Sequence, residues 1–307
     1  MNKHEVVCFG EALWDILPDA AMPGGAPMNV AYHLKKLGLN PAVITRIGID
    51  KYGEGLVNIL AKHGVCTDFF HADNVHPTGL VYAKINEQRD VVYDIVYPSA
   101  WDFIEWKNEF AGLVQSSKFF VFGSLASRNK VSRDTLYKCL EVGSTNVMDV
   151  NLRPPHFNRN SMEHLLRKAD ILKMNLDELE LVTGWFSHFK HKEDRMKLIQ
   201  ERFNIEKLLV TMGADGSVLS DGGDFYYQHA YRVQVQDTIG SGDSFFAAFI
   251  QSIYKGLAPQ ESLAFASAVG AFVASKAGAC PEYEVSELKT LFQSDVDEKL
   301  KEPLLKQ

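Results

Sequence analysis

The sequence predicts an α/β fold built on a largely parallel central sheet. First, the chain has 307 residues, of which 46% are hydrophobic, so it can bury a large core. Second, short runs of β-branched and aromatic residues alternate with helical stretches, which is the pattern of βαβ units. Third, these runs contain few polar residues, as expected for strands that helices cover on both faces. No internal repeat or linker interrupts the pattern, so we predict a single domain over residues 1–307.

Six runs are predicted to be strands of this sheet. They are Val6–Gly10, Ala42–Thr45, Phe119–Phe122, Val147–Asp149, Ile171–Met174 and Leu208–Thr211. The first intervening helix has clear start and end signals, because Pro27 suits its opening turn and Gly38 can end it. A different pattern occupies Thr78–Tyr97, where two β-rich runs flank a polar turn and predict an antiparallel hairpin.

Charge and cysteine content exclude several classes of partner. The 32 basic and 39 acidic residues are interspersed and give a net charge of −7, so we predict no binding to nucleic acid or to a membrane surface. No apolar run approaches the roughly 20 residues that span a bilayer. The four cysteines show no metal-ligand spacing, and the first residues lead into a strand and not into a signal peptide. We therefore predict a reduced, cytoplasmic protein without structural zinc.

The segment Asp237–Asp243 carries the strongest chemical signal. Gly240, Ser241 and Gly242 allow a tight turn that directs backbone N–H groups to one point, and an apolar helix begins there. A phosphate group fits such an anion cradle. Asp243 falls in the first helical turn, where the helix dipole favours its ionised form, so it can accept a proton from a hydroxyl held nearby. An ordinary glycine-rich loop with a surface carboxylate is the alternative for this pattern alone.

Two segments resemble the signatures of one enzyme family. Asp237–Asp243 resembles the pattern D-T-x-[GA]-[AS]-G-D of the ribokinase-like carbohydrate kinases, also called the pfkB family. Gly24–Ala31 resembles the second signature of that family, about 210 residues earlier. The resemblance implies a three-layer α/β/α domain with a small β-lid, formed around residues 12–22 and 78–98. It also implies ATP and Mg²⁺ as cofactors, Asp243 as the base and, often, a homodimer formed through the lid.

The resemblance also implies which residues bind the sugar. Asp15, Gly24, Gly25 and Asn29 match positions whose side chains or backbone bind sugar hydroxyls. A carboxylate beside a glycine backbone offers short, fixed hydrogen-bonding groups without bulk. Asn151 and Arg153 follow a predicted strand, at the end of the sheet where open parallel sheets bind ligands, and we assign them to the substrate as well. Taken singly, each of these polar residues could instead cap a turn.

The nucleotide site is assigned in the same way. Asn175–Glu178 is similar to the N-x-x-E motif, in which the carboxylate of Glu178 acts on the Mg²⁺ bound with ATP, usually through water. Thr211–Gly216 is similar to the T-x-G-x-x-G nucleotide loop, with Thr211, Gly213 and Gly216 as its matching residues. Ala214 and Asp215 stand where many members have a basic residue. Ser267 is assigned to the nucleotide too.

A K⁺ site is the weakest of these predictions. Asp237, the carbonyl of Ile239 and carbonyls from Val273, Lys276 and Gly278 match the monovalent-cation site of K⁺-activated members. The same residues are explained equally well by the end of a helix, with Gly278 as its left-handed cap.

The acceptor sugar is predicted to be neutral. The form G-G-A-P-x-N resembles fructokinases most, and Ala26 stands where kinases of phosphorylated sugars often carry Lys. A second phosphate would need cationic partners, and only Arg128, Arg153, Lys84 or Arg89 could supply them. Fructose is therefore the first choice. Ribose, a nucleoside or 2-keto-3-deoxygluconate stay open as acceptors, and a sugar-binding pseudokinase without turnover is the alternative from another class.

Overall fold

The computed structural model describes residues 4–17, 20–85 and 91–288. The strands in these ranges are β1 (Val6–Phe9), β2 (Leu13–Ile16), β3 (Ala21–Gly24), β4 (Pro41–Gly48), β5 (Phe70–Asp73), β6 (Gly79–Ile85), β7 (Val91–Ile95), β8 (Phe119–Gly123), β9 (Thr145–Asp149), β10 (Ile171–Asn175), β11 (Lys207–Thr211), β12 (Ser217–Asp221) and β13 (Asp224–Gln228). The helices are α1 (Ala26–Lys36), α2 (Lys51–Lys62), α3 (Asn108–Ser116), α4 (Lys130–Leu140), α5 (Arg159–Leu166), α6 (Leu176–Gly184), α7 (Lys192–Phe203), α8 (Ser241–Tyr254) and α9 (Pro259–Ala274).

The larger sheet has the strand order β13-β12-β11-β10-β9-β8-β1-β4-β5. Its strands from β11 to β5 run parallel, whereas β12 and β13 form an antiparallel extension at one edge. The six strands predicted from apolar runs are confirmed as β1, β4, β8, β9, β10 and β11. The sequence analysis missed β5, β12 and β13, because their alternating or polar residues lack the continuous apolar pattern of strands buried on both faces.

Helices cover both faces of this sheet. Successive residues of β1 alternate between two apolar cores, with Val6 and Cys8 in one and Val7 and Phe9 in the other. Helices α1, α2, α8 and α9 supply the first core, and α3 to α7 supply the second. The predicted helix near Pro27 is confirmed as α1, and Gly38 follows it with a φ of 87°. The sheet and its two helical layers form a three-layer arrangement. The single domain over residues 1–307 stays a prediction.

A smaller sheet with the order β3-β2-β6-β7 lies beside the first. Its β6 and β7 pair antiparallel, which confirms the predicted hairpin, although the turn between them lies outside the described residues. Strand β2 pairs parallel with β6, so the segments predicted for the lid do share one sheet. A small apolar cluster supports this sheet: Leu13, Val81, Ile95, Trp101 and Leu125.

The four cysteines are free thiols. Among the described residues, no helix combines the length and the apolar composition needed to cross a membrane.

Candidate active site

A cavity of about 460 Å³ opens between the small sheet and the carboxyl ends of the parallel strands. It brings together eleven residues that the sequence analysis assigned to the substrate, the nucleotide, the cation or catalysis: Asp15, Gly25, Asn29, Asn151, Arg153, Asn175, Thr211, Ile239, Gly240, Gly242 and Asp243. The strand ends explain this convergence, because β9, β10 and β11 stop at Asp149, Asn175 and Thr211. Such a crevice is where open parallel sheets bind ligands.

The segment that is predicted to form the anion cradle lies at the start of α8. Gly240 precedes the helix with a φ of 75°, and a Cβ at this position would collide with the backbone of Ala279. Within the described part of the chain no side chain caps α8, so backbone N–H groups of its first turn are left without a side-chain partner. Of the three groups predicted to form the cradle, the Ser241 N–H donates to the Thr238 carbonyl at 3.3 Å.

Asp243 lies in the first turn of α8 and faces α1. Its Oδ2 accepts a hydrogen bond of 2.8 Å from Nδ2 of Asn29. Burial and the nearby Asp149 raise the pKa of Asp243 to about 6, while Asn29, Lys173 and Arg153 oppose the rise. From the sequence, we expected the helix dipole to keep Asp243 ionised. Burial has the larger effect and raises its pKa. Asp243 is still mostly ionised at pH 7, and a base with a pKa close to the working pH is effective in proton transfer.

Asn29 is buried within α1, where it is only 4% exposed. Besides donating to Asp243, its Oδ1 accepts a hydrogen bond of 3.3 Å from the thiol of Cys280. The sequence analysis assigned Asn29 to the sugar. The structure adds a direct contact with the predicted base, which no local sequence pattern could indicate because the two residues are 214 positions apart.

Two further carboxyl groups line the cavity. Asp15 projects from β2, and a Cβ on Gly24 would collide with its carboxylate, so glycine is needed for this approach. Burial raises the pKa of Asp15 to about 6. Glu11 is 2% exposed, and burial raises its pKa to about 7. The sequence analysis missed Glu11, although a glutamate directly after a buried strand is itself a signal.

A buried ion pair lies beneath the cradle. Lys173 in β10 donates to Oδ2 of Asp149 at 2.7 Å, and both side chains are less than a tenth exposed. The Lys173 ammonium lies 3.5 Å from the position that a Cβ of Gly242 would occupy. The sequence analysis did not select Lys173, although a lysine within an apolar strand rarely lacks a specific partner. Its nearby carboxylates outweigh burial and raise the pKa of Lys173, which stays charged.

Glu178 and Asn175 join the end of β10 to α6. Each side chain accepts a hydrogen bond from the backbone N–H of the other, both at 2.8 Å. The second carboxylate oxygen of Glu178 accepts from the Leu152 N–H at 2.7 Å. Burial and Asp149 raise the pKa of Glu178. Glu178 thus sits behind the cavity wall, whereas Asn175 lines the cavity itself.

The predicted nucleotide loop follows β11. Gly213–Asp215 forms a single helical turn, and Gly216 has a φ of 97° at a position where a Cβ would collide with the Gln228 carbonyl. Ser267 in α9 is paired with Ser217, their hydroxyl oxygens 3.1 Å apart. Thr211 lines the cavity, whereas Gly213, Gly216 and Ser267 do not.

The residues of the predicted cation site are brought together. Oδ1 of Asp237 accepts from the Ile239 N–H at 2.9 Å, and Oδ2 accepts from the Gly278 N–H at 3.1 Å. The carbonyl of Val273 accepts from the Lys276 N–H at 2.9 Å, as in an ordinary helix end. Across the described ranges, no three His, Cys, Asp or Glu side chains converge as metal ligands.

Arg128, considered above as a partner for a second phosphate, is paired with Asp102. Its guanidinium makes a bidentate ion pair with Asp102, at 2.7 and 2.8 Å, and stacks on Trp101. Arg128 does not line the cavity of Asp243. Arg89 lies outside the described residues.

A glycine-rich helix start beside a buried carboxyl group is an arrangement that suits phosphoryl transfer to a hydroxyl. A family model described as pfkB family carbohydrate kinase matches residues 4–285. The chain therefore belongs to the pfkB family and is an ATP-dependent carbohydrate kinase, as the two signature segments predicted.

Similar proteins agree with this family. The chain is 29% identical to probable fructokinase-3 of Arabidopsis thaliana, over 91% of this chain and 88% of that protein. It is 30% identical to a fructokinase of Solanum tuberosum, over 95% and 97% of the two chains. The structure of an ATP-bound fructokinase from Xylella fastidiosa matches with a TM-score of 0.86 at 22% identity, over 96% of this chain and 100% of that one. Aminoimidazole riboside kinase of Salmonella enterica matches with a TM-score of 0.78 at 23% identity, over 93% and 99%. These structural matches confirm the predicted ribokinase-like fold.

Proposed function

We propose that this enzyme transfers the γ-phosphate of ATP to a hydroxyl of a neutral sugar, fructose, with Asp243 as general base. The observation that carries the proposal is the hydrogen bond from Asn29 to Asp243 at the uncapped start of α8. Gly240, Gly242 and Asp243 line the same cavity, which supports a base and an anion cradle acting together. The fructokinase names of the relatives support fructose as the acceptor.

The chain's own residues account for the main steps. Asp15, Gly24 and Gly25 hold sugar hydroxyls, with Asn151 and Arg153 closing the site, and a free hydroxyl faces Asp243. Asp243 takes the proton of that hydroxyl as its oxygen attacks the γ-phosphorus and the bond to the leaving ADP breaks. The N–H groups of the first turn of α8 and the Lys173 ammonium stabilise the charge on the transferring group. Asn175, Thr211, Gly213, Gly216 and Ser267 hold the nucleotide.

Two cations fit the residues present. Mg²⁺ bound with ATP would supply neutralisation of phosphate charge, and it keeps several waters, so one carboxylate behind the cavity wall suits it. Glu178 would hold it through water, because each of its oxygens keeps a lone pair beyond the hydrogen bonds described. K⁺ would be held by Asp237 and by carbonyls of Ile239, Val273, Lys276 and Gly278, where Asp237 already joins both segments.

The charges of the cavity favour a neutral acceptor. Among the described residues that line it, Glu11, Asp15, Asp149 and Asp243 are carboxyls, whereas Lys173 and Arg153 are cations. Lys173 is already paired with Asp149. A phosphosugar would bring a dianion into this acidic cavity, with Arg153 as its partner, and desolvating it there is costly.

A nucleoside is the second candidate acceptor. Tyr93 in the small sheet lines the cavity and is 49% exposed, so its ring can stack on a base. The structural neighbour that is an aminoimidazole riboside kinase shares the fold. The small sheet would then act as a lid over either acceptor. The exposed Tyr82 lies on the opposite face of that sheet and suits the predicted homodimer contact.

A competition assay tests the choice of acceptor. With fructose, fructose 6-phosphate and adenosine in one mixture containing ATP and Mg²⁺, we expect fructose to have at least tenfold higher kcat/KM than either competitor, because a site that lacks matching polar groups rejects the wrong ligand. Mass spectrometry of the products gives the ratios directly. Preference for fructose 6-phosphate, abolished by Arg153→Ala, would show that the acceptor is charged.

Replacing Asp15 tests where the sugar binds. Asp15→Ala should raise the KM for fructose about 10- to 100-fold, since hydrogen bonds to a charged group contribute about 1.5–3 kcal/mol. The KM for ATP should change little. Steady-state kinetics with each substrate varied give both constants, and Glu54→Gln, an exposed first-turn carboxylate of α2, serves as the control. A larger effect on ATP than on fructose would place the sugar elsewhere.

A further inference from the structure

Helix α1 makes hydrogen bonds to three consecutive residues near the end of the described chain. Nε2 of His33 donates to the Ala279 carbonyl at 2.9 Å. The Tyr32 hydroxyl donates to the Pro281 carbonyl at 2.7 Å. Between them, the thiol of Cys280 donates to Oδ1 of Asn29 at 3.3 Å. Residues 279–281 are therefore held along α1, and we name them the α1-bound segment.

The backbone contacts fix the position of the Cys280 thiol. His33 is fully buried, and burial lowers its pKa to about 4, so it is neutral and its Nδ1 is free to accept from the Tyr283 hydroxyl at 3.0 Å. The backbone on both sides of Cys280 is thus anchored, which holds its Cα beside Asn29. The same segment also backs the cradle, because Ala279 packs against Gly240.

We propose that Cys280 is a positioning residue for catalysis, which orients the Asn29 amide so that its N–H group stays directed at Asp243 throughout turnover. This inference rests on the proposed role of Asp243 as the base. An amide can turn about its last bond and present either its oxygen or its nitrogen. The ionised carboxylate of Asp243 favours the nitrogen, but once it has accepted a proton it no longer enforces that choice. The Cys280 thiol, which donates to Oδ1 of Asn29, then keeps the amide nitrogen directed at Asp243.

The consequence is a specific effect on the base. The hydrogen bond from Asn29 lowers the pKa of Asp243 against the effect of burial. Loosening Asn29 should therefore raise the pKa of Asp243 and move the acid limb of the kcat/KM profile to higher pH. The charged and titratable groups that face Asp243 are unchanged by replacing Cys280: Glu11, Asp15, Asp149, Arg153 and Lys173.

Three cysteine variants test the proposal. Cys280→Ala should lower kcat about three- to tenfold, as expected for one lost hydrogen bond, and shift the acid limb upward. Cys280→Ser keeps a hydroxyl donor and should restore both values. Cys66→Ala removes a half-buried thiol at a distant bridge and should leave them unchanged. Tyr32→Phe, which frees the Pro281 carbonyl, should shift the limb in the same direction as Cys280→Ala.

The outcomes separate this inference from the proposed function. Wild-type kinase activity toward the sugar panel is measured first, and its absence would contradict the proposed function alone. If wild type is active and Cys280→Ala keeps the wild-type kcat and acid limb, Cys280 has no positioning role. A loss in Cys280→Ala that Cys280→Ser does not restore would assign the thiol a packing role and overturn the proposal as well. Thermal unfolding of each variant identifies any loss of fold.

Discussion

Asp243→Asn is expected to lower kcat about 10²- to 10⁴-fold, the range for losing a general base. The substitution keeps the size of the side chain and an oxygen that can accept from Asn29, so the fold and the affinity for ATP should change little. The lost property is proton acceptance, because an amide is not basic at neutral pH. Steady-state kinetics and nucleotide titration measure the two effects separately.

The pH dependence of kcat/KM is a second test of Asp243 as the general base. The pKa of Asp243 is about 6, so the ionised base dominates above that pH and is lost as the pH falls. Wild-type kcat/KM should therefore be flat above about pH 7 and fall at least tenfold per pH unit well below pH 6, because Asp15, with a pKa of about 6, loses its charge over the same range. The residual activity of Asp243→Asn should lack the limb that belongs to Asp243. Glu54→Gln again serves as the control, and full activity of Asp243→Asn would exclude Asp243 as the base.

Lys173→Met should destabilise the protein by about 3–5 kcal/mol, because it leaves the buried Asp149 carboxylate without its partner. The second oxygen of Asp149 has no hydrogen-bond partner among the residues that the structure describes, so little else there compensates for the lost charge. Turnover should also fall, since the cradle loses the ammonium group beside Gly242. Urea unfolding gives the free energy of unfolding, and kinetics under folded conditions give the turnover.

A double variant separates the two roles of Lys173. Lys173→Met combined with Asp149→Leu removes both charges, and replacement of a buried ion pair by apolar groups is often close to neutral for stability. We expect it to recover most of the lost stability and none of the lost turnover. A single variant as stable as wild type would show that the ion pair is not buried in solution.

Sequence patterns predicted the parts of this protein that depend on local chemistry. Continuous apolar runs predicted β1, β4, β8, β9, β10 and β11, because strands buried on both faces have no polar side to display. At Gly24, Gly25 and Gly240 the structure shows a neighbouring group where a Cβ would lie, whereas their roles in binding stay predictions. The conformation of Gly240 is set by its own turn and needs no distant residue.

The parts that were missed depend on distant contacts. Lys173 and Asp149 form an ion pair between two strands and are 24 residues apart in the sequence. The sequence around either residue does not indicate its partner. The contacts from α1 to Cys280 and Asp243 cross more than 200 residues. Burial likewise raises the pKa of Asp243 through the packing of α1 against α8, whereas the sequence shows only its place in a first helical turn. The assignments of Gly213, Gly216 and Ser267 to the nucleotide stay predictions.

The most direct test of the proposed function is phosphate transfer to fructose by wild type and by Asp243→Asn. The enzyme is incubated with fructose, ATP and Mg²⁺, and mass spectrometry quantifies fructose monophosphate and ADP over time. We expect wild type to form the two products in equal amounts and Asp243→Asn to form them at least 10²-fold more slowly, with unchanged ATP affinity. Equal rates for the two proteins, or ADP release by wild type without phosphorylated fructose, would contradict the proposal.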